Sequence, residues 1–244
     1  MDVQQVIQFI KQMPGRFHPG LVSSLNQKAT PEQVAYLRRL QKEARFDWGL
    51  NIPFSELPVV VFDLETTGFF PDKGDEILSI GAIRVVGNSI ADGEMFYSTV
   101  RTDKPIPSEI VALTGIHEAE VEQSPPLSKV LADFFSFVKH DTLVAHHANH
   151  EKAFMQHAVK RLMHAPFRHR MVDTSFFIRV VDPDLKELRL EACLARCGIE
   201  VSNRHHALSD AIMTAKLWCY FVEKMQEMGL RTLRDGYERL AKNG

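Results

Sequence analysis

No run of about 18 consecutive apolar residues occurs anywhere in this 244-residue chain, so no segment reads as a membrane-spanning helix. The opening stretch MDVQQVIQFIKQM lacks the basic flank and long apolar run of a secretory signal, so none is expected. Cysteine is scarce and odd in number, with Cys193, Cys197 and Cys219 only. A disulfide framework is therefore not expected, and a reducing cytoplasm is the simplest setting. Charge of one sign is also missing: 29 Lys and Arg stand against 31 Asp and Glu. Bulk charge thus announces neither a nucleic-acid binder nor an acidic tail, although a local basic groove needs no basic domain. No internal repeat or low-complexity segment exists, which excludes solenoids and flexible arrays. What remains is an ordinary globular composition, 45% hydrophobic and 25% charged.

The pattern along the chain divides it. Residues 1–50 read as a helical extension. Val3, Val6, Ile7 and Ile10 share one helical face before Pro14-Gly15. A second helix opens at Thr30-Pro31-Glu32-Gln33, a capping box with proline in the first turn. Val34, Leu37, Leu40 and Ala44 line its apolar side, and Arg38, Arg39, Lys42 and Arg45 read as its solvated side. Residues 51–58 read as a linker. The main domain, over 57–230, begins with the β-branched run Val59 to Phe62, a buried strand. Ile77–Val86 and Ile90–Val100, joined by Gly87-Asn88, complete an antiparallel meander. Helices are expected over Leu127–Val138, Asn149–Met163, Leu188–Cys197 and Ala207–Met228, with short strands at Thr142–Ala145 and Met171-Val172. Residues 231–244 read as a helical tail. A meander followed by alternating helices and strands implies an α/β fold, a mixed sheet flanked by helices.

Three short segments carry chemistry. In Phe62-Asp63-Leu64-Glu65-Thr66-Thr67-Gly68, alternation along the strand sends Asp63 and Glu65 to the same face. Two carboxylates side by side at the end of an apolar strand repel each other unless a cation joins them. Oxygen ligands suit Mg²⁺ or Mn²⁺. In His205-His206-Ala207-Leu208-Ser209-Asp210, the aspartate stands in the first turn of a long helix and His205 five residues earlier on the entering loop. In Leu143 to Glu151, a strand runs into a helix and Glu151 follows by about a turn. Taken singly, each has a bland reading: strand-end acids in solvent, a helix-start aspartate, a surface glutamate. His146, His147 and His150 also admit a zinc reading, since His146 and His150 are four apart, but Cys or acidic partners at ligand spacing are missing. Cys193 and Cys197 read as core thiols.

Together the three segments resemble the DEDD exonucleases, in the histidine-containing branch that includes the proofreading epsilon subunit of bacterial DNA polymerase III and ribonuclease T-like enzymes. FDLETTG is similar to the first family motif, LVAHHANHEKAF to the second and HHALSDAIMTAKLW to the third. ILSIGAIRV and IVALTGIHEAEVEQSPP match the segments between. The resemblance covers about Leu57 to Glu227 and leaves residues 1–50 outside. It implies a ribonuclease-H-like fold and a 3′–5′ exonuclease with two divalent cations, Mg²⁺ or Mn²⁺. Asp63, Glu65 and Asp210 are implied as metal ligands, with Glu151 in the place of the fourth acid and His205 as general base. Thr66, Leu113, Thr114, His146 and His147 are implied to approach the terminal nucleotide, and Asp173 to support the site from behind. In the second motif this chain departs from the family. His147 stands where the family has Asn, His150 where it has Phe, and Glu151 where it has Asp.

Such an enzyme would act on single-stranded or frayed 3′ ends of DNA or RNA; the sequence does not choose between them. Two ions about 3.5–4 Å apart serve the attacking water and the leaving oxygen, and a histidine titrating near neutrality suits proton removal. Two other classes stay open: a nucleic-acid-end binder with weakened catalysis, and a protein that recruits a partner through residues 1–50.

Overall fold

The structure, a computed structural model, describes residues 30–43 and 49–243. The helix expected over Val3–Ile10 lies outside the described residues, as do Ala44 and Arg45. A five-stranded sheet runs in the order β3-β2-β1-β4-β5. Its strands are β1 (Pro58–Thr66), β2 (Ile77–Val86), β3 (Ser89–Thr99), β4 (Thr142–Ala145) and β5 (Met171–Asp173). The first three pair antiparallel, and β4 and β5 join β1 in parallel. The mixed sheet of the ribonuclease-H-like expectation is thus present.

Period-two alternation along β1 assigns its side chains to two cores. Val60, Phe62 and Leu64 enter one core. There they meet α1 (Pro31–Glu43), α4 (Leu127–Val138) and α5 (Asn149–Met163). Val59 and Val61 enter the other. That core is built with α6 (Thr174–Val181), α7 (Leu190–Arg196), α8 (Ala207–Glu227) and α9 (Leu233–Asn243). Two short helices, α2 (Ser108–Thr114) and α3 (Glu118–Glu122), cover Leu78. No helix among the described residues is long and apolar enough to cross a membrane.

The capping box at α1 forms in both directions: Thr30 N donates to Gln33 Oε1 at 3.0 Å and Gln33 N to Thr30 Oγ1 at 3.2 Å. This helix docks on the main domain. Leu37 is fully buried, and Arg38 Nε donates to Met163 O at 2.9 Å. Gln41 is buried beside His169. Residues 51–58 are no free linker either. Phe54 and Leu57 are buried, and Phe54 N donates to Arg231 O at 2.7 Å. The turn-forming residues around Phe54 suggested a linker, but its aromatic ring needed a core and found one beside Phe177. The short helices α2, α3 and α6 were not expected. In α6 the run of β-branched and aromatic residues reads as strand by propensity, yet six of its eight residues are buried against the sheet and α8.

Candidate active site

Asp63 and Glu65 follow Val59 and Val61 on the α8 side of β1. Regular pairing with β2 shifts between Glu65 and Thr66, so the strand delivers both acids just before its order breaks. Asp63 pairs with Gly81 of β2. A Cβ on Gly81 would lie 2.1 Å from Leu208 N and 2.2 Å from the carbonyl carbon of Ala207. The missing side chain therefore lets the first turn of α8 rest directly on the sheet, and that turn carries Asp210. Carboxylate oxygens of Asp63, Glu65 and Asp210 all lie within 4.8 Å of one another, and they are the only potential metal-holding group among the described residues.

Burial makes this cluster costly. Burial raises Asp63 well above the ordinary carboxyl range, followed by repulsion from Glu151, Asp210 and Glu65. Glu65 is pushed up to about 8, first by burial and then by Asp210. Glu151, in the first turn of α5, is buried and is likewise pushed up to about 8, first by burial, with Asp173 and Glu65 adding repulsion. Asp210 is also raised by burial. Two acceptors, Glu151 Oε2 and Asp210 Oδ1, are buried without a hydrogen-bond partner. Orphan carboxylate oxygens of this kind call for a proton or a cation. An all-oxygen donor set with such vacant lone pairs fits hard divalent ions.

His205 stands half-buried on the loop before α8, and its backbone N donates to Asp210 Oδ2 at 3.1 Å. Asn203 and His205 both adopt left-handed backbone conformations, with φ of 45° and 61°. Such geometry costs of order 1 kcal/mol or more at non-glycine residues. Arg204 lies between them. Its guanidinium pairs with Asp210 Oδ2 and, at 2.7 Å, with Glu191 of α7. His206 precedes the helix with its ring stacked on Tyr97 at 4.7 Å.

The second histidine cluster behaves differently. His146 is buried with Nδ1 2.6 Å from Thr174 Oγ1 and Nε2 2.7 Å from Leu188 O. A carbonyl only accepts, so Nε2 carries the proton and Nδ1 accepts from the hydroxyl. Burial holds this ring down to about 4, neutral at ordinary pH. Both ring nitrogens are thus engaged inside the fold. His147 is exposed with φ of 56°. Asp173 accepts from His147 N, Ala148 N and Ser175 N at 3.2, 3.0 and 2.8 Å, which pins the turn ahead of Glu151 and caps α6. His150 Nε2 lies 3.3 Å from Thr66 Oγ1, which itself donates to Gly68 O. On α2, Leu113 is exposed, whereas the Thr114 hydroxyl is used within its own turn, donating to Ile110 O and accepting from Ile116 N.

Sequence reasoning missed Arg204 and Gly81. For Gly81 a signal existed, since glycine inside an apolar strand marks close backbone approach. For Arg204 none did, because its two acidic partners come from different helices.

The chain is also similar to known proteins. The Exonuclease family pattern matches residues 60–218. A DNA polymerase III subunit epsilon-like protein of Rhodobacter capsulatus is 34% identical over 194 residues, 79% of this chain and 27% of that protein. A 3′-5′ exonuclease DinG of Staphylococcus aureus is 34% identical over 179 residues, 72% of this chain and 19% of that protein. The chain therefore spans about a quarter or less of these relatives. Among solved structures, the nuclease domain of 3′hExo bound to rAMP, a DEDDh family member, superposes with a TM-score of 0.60 at 18% identity, covering 72% of this chain and 94% of that one. Exonuclease X in complex with 5′ overhanging duplex DNA gives 0.56 at 22% identity, with 75% and 99% covered. With the family pattern running through residues 60–218, and its first and third motif segments folded into one carboxylate cluster, this chain belongs to the exonuclease family.

Proposed function

We propose that this chain is a metal-dependent 3′–5′ exonuclease that shortens DNA or RNA strands from the 3′ end and releases nucleoside monophosphates. The observation that carries the reading is the convergence of Asp63, Glu65 and Asp210 within 4.8 Å, with buried acceptors on Asp210 and Glu151 left without partners. Asp63, Glu65, Asp210 and Glu151 would hold two divalent cations, Mg²⁺ or Mn²⁺. Such ions supply charge neutralisation at the phosphate and an acidified water.

The chain's own residues do the rest. His205, on the loop at the edge of the cluster, removes the proton from the attacking water; a base of this kind contributes about 10²–10⁴ in rate. Asp210 accepts from the His205 backbone and so fixes that loop. Asp173 holds the turn that leads to Glu151. Thr66, Leu113, Thr114, His146 and His147 remain the candidates for the nucleotide end, with His146 acting through the loop it anchors rather than through a free nitrogen. Beside Thr66 the chain exposes Phe69 and Phe70, and Lys73 Nζ sits 4.4 Å over the Phe70 ring. Exposed aromatic faces next to a cation suit unstacked bases of a single strand. The epsilon-like relative supports a polymerase as one setting for the activity.

The test is digestion of 5′-end-labelled DNA and RNA oligomers with Mg²⁺, with Mn²⁺ and with chelator. A ladder shortening one nucleotide at a time, seen only with metal, is expected. Internal cleavage, or no metal-dependent shortening of either polymer, would overturn the reading.

A further inference from the structure

The carboxylate cluster has its own counter-ion. The guanidinium of Arg204 pairs with Asp210, one of the three clustered acids, and with Glu191 of α7. It is not a bystander on a mobile arm. Nε and Nη2 both bond Glu191 Oε1, at 2.8 and 2.7 Å, while Nη1 reaches Asp210 Oδ2. The loop that carries it is forced through two left-handed residues, Asn203 and His205, with Asn203 Nδ2 bonded to Ser209 Oγ at 3.2 Å. The same guanidinium thus touches a proposed metal ligand on one side and an exposed helix acid on the other. Its contact on Asp210 uses Oδ2 and leaves Oδ1 buried and open.

Resting on the nuclease reading above, we infer that Arg204 is a built-in counter-ion that sets the cation affinity of the site, and that Glu191 draws its charge away from Asp210. With Arg204 in place, the metal-free cluster carries less uncompensated negative charge, so the empty fold is easier to keep. The same positive charge opposes an arriving divalent ion. One residue therefore trades metal-free stability against metal affinity. A residue that merely shaped the loop would move both in the same direction.

The sign difference is the test. Mn²⁺ binding to the full-length protein, without nucleic acid, is measured by titration calorimetry or by the paramagnetic resonance of free Mn²⁺. Melting is followed in chelator. Arg204→Gln should bind Mn²⁺ about tenfold more tightly, the size expected for removing one charge several ångströms from a divalent ion under near-aqueous screening. The same variant should melt lower without metal. Glu191→Gln should weaken Mn²⁺ binding, because Arg204 then leans wholly on Asp210. The double variant should behave as Arg204→Gln alone, since Glu191 acts through the arginine. Should Arg204→Gln fold poorly, Arg204→Lys keeps the charge and should bind near the parent level, while Glu191→Gln still tests the relay. Unchanged or weaker binding by Arg204→Gln overturns the counter-ion role alone. Failure of the unaltered protein to bind Mn²⁺ at all would overturn the nuclease reading as well.

Discussion

One strand, β1, contains two regions that share a face and a roof yet obey opposite rules. In its first half Val59 and Val61 are fully buried beneath α8, and their contribution is the ordinary one of apolar area removed from water. In its second half Asp63 and Glu65 continue the same face at the same spacing, and burial there works against the charged form of each. The first half contributes the same at any pH and with or without metal, since nothing in it titrates or binds an ion. The second half is tolerable only with protons, with Arg204, or with bound cations. The difference teaches where this molecule has set stability aside: at a register position two residues beyond the core, under a helix start brought close by Gly81.

The sharpest way to break that comparison is to swap charge for shape in each half. Asp63→Asn, Glu65→Gln or Asp210→Asn should lower kcat by at least about 10³-fold, since the ligand set fails. Melting in chelator should hold or rise, because a buried repulsive charge is gone. Val61→Ala should do the reverse, costing about 2 kcal/mol of stability while the folded fraction keeps its turnover. An Asn variant that turns over near the parent rate, or melts lower in chelator, would remove the distinction.

Gly81→Ala tests the roof both halves share. A methyl group there meets the backbone of Ala207 and Leu208, not a side chain that can turn aside. The start of α8 must lift, taking Asp210 away from Asp63. Loss of kcat by about 10²-fold or more is expected together with a lower melting temperature, because misplacement by about 1 Å is enough for the former. Unchanged activity would mean that α8 is free to slide.

His205→Ala should spare both halves structurally and lower kcat by about 10²-fold with KM little changed, as removal of a general base does. A raised KM with unchanged kcat would make His205 a binding residue. Glu151→Gln, which keeps shape and removes charge, should cost about as much in kcat. If it were as active as the parent, Glu151 would hold no ion.

Much of this site was legible beforehand, and for reasons that can be named. Period-two alternation put Asp63 and Glu65 on one face, and the helix start put Asp210 near an entering His205. Both are local rules, and the structure agrees with them. Strand boundaries were shorter in expectation because acids depress strand propensity, so β1 seemed to end at Phe62 although it continues to Thr66. What could not be seen depends on partners distant in the chain. The helix α6 is held by tertiary burial against its own propensity. His146 looked available in sequence because Thr174 and Leu188, which occupy its ring, are 28 and 42 residues away. Arg204 bridges two helices and belongs to no periodic pattern.

The smallest expected effect is also the most direct reading of the two halves, because it needs no catalysis. Glu65 and Glu151 titrate near 4.5 when unfolded and are pushed up to about 8 in the fold. Between those values the native state binds protons that the unfolded chain has released. Linkage then makes stability fall as pH rises. Their contribution is fully present below about 4.5 and is lost as pH passes through about 8. His146 and His169 act oppositely, both held down to about 4 by burial, and they weaken the fold only below their unfolded value of 6.5. The window from about pH 6.5 to 8, which also stops short of the unfolded cysteine value of 9.0, therefore isolates the acids. In chelator the melting temperature should drop by several degrees across it, since about 1 kcal/mol moves a domain of this size by about 2–4 °C. Glu65→Gln should flatten the slope, and saturating Mn²⁺ should abolish it, because the ion takes the place of the protons. Val61→Ala should shift the whole curve down and leave its slope alone. A metal-free profile that is flat or rises with pH would show that the second half of β1 is no more burdened than the first.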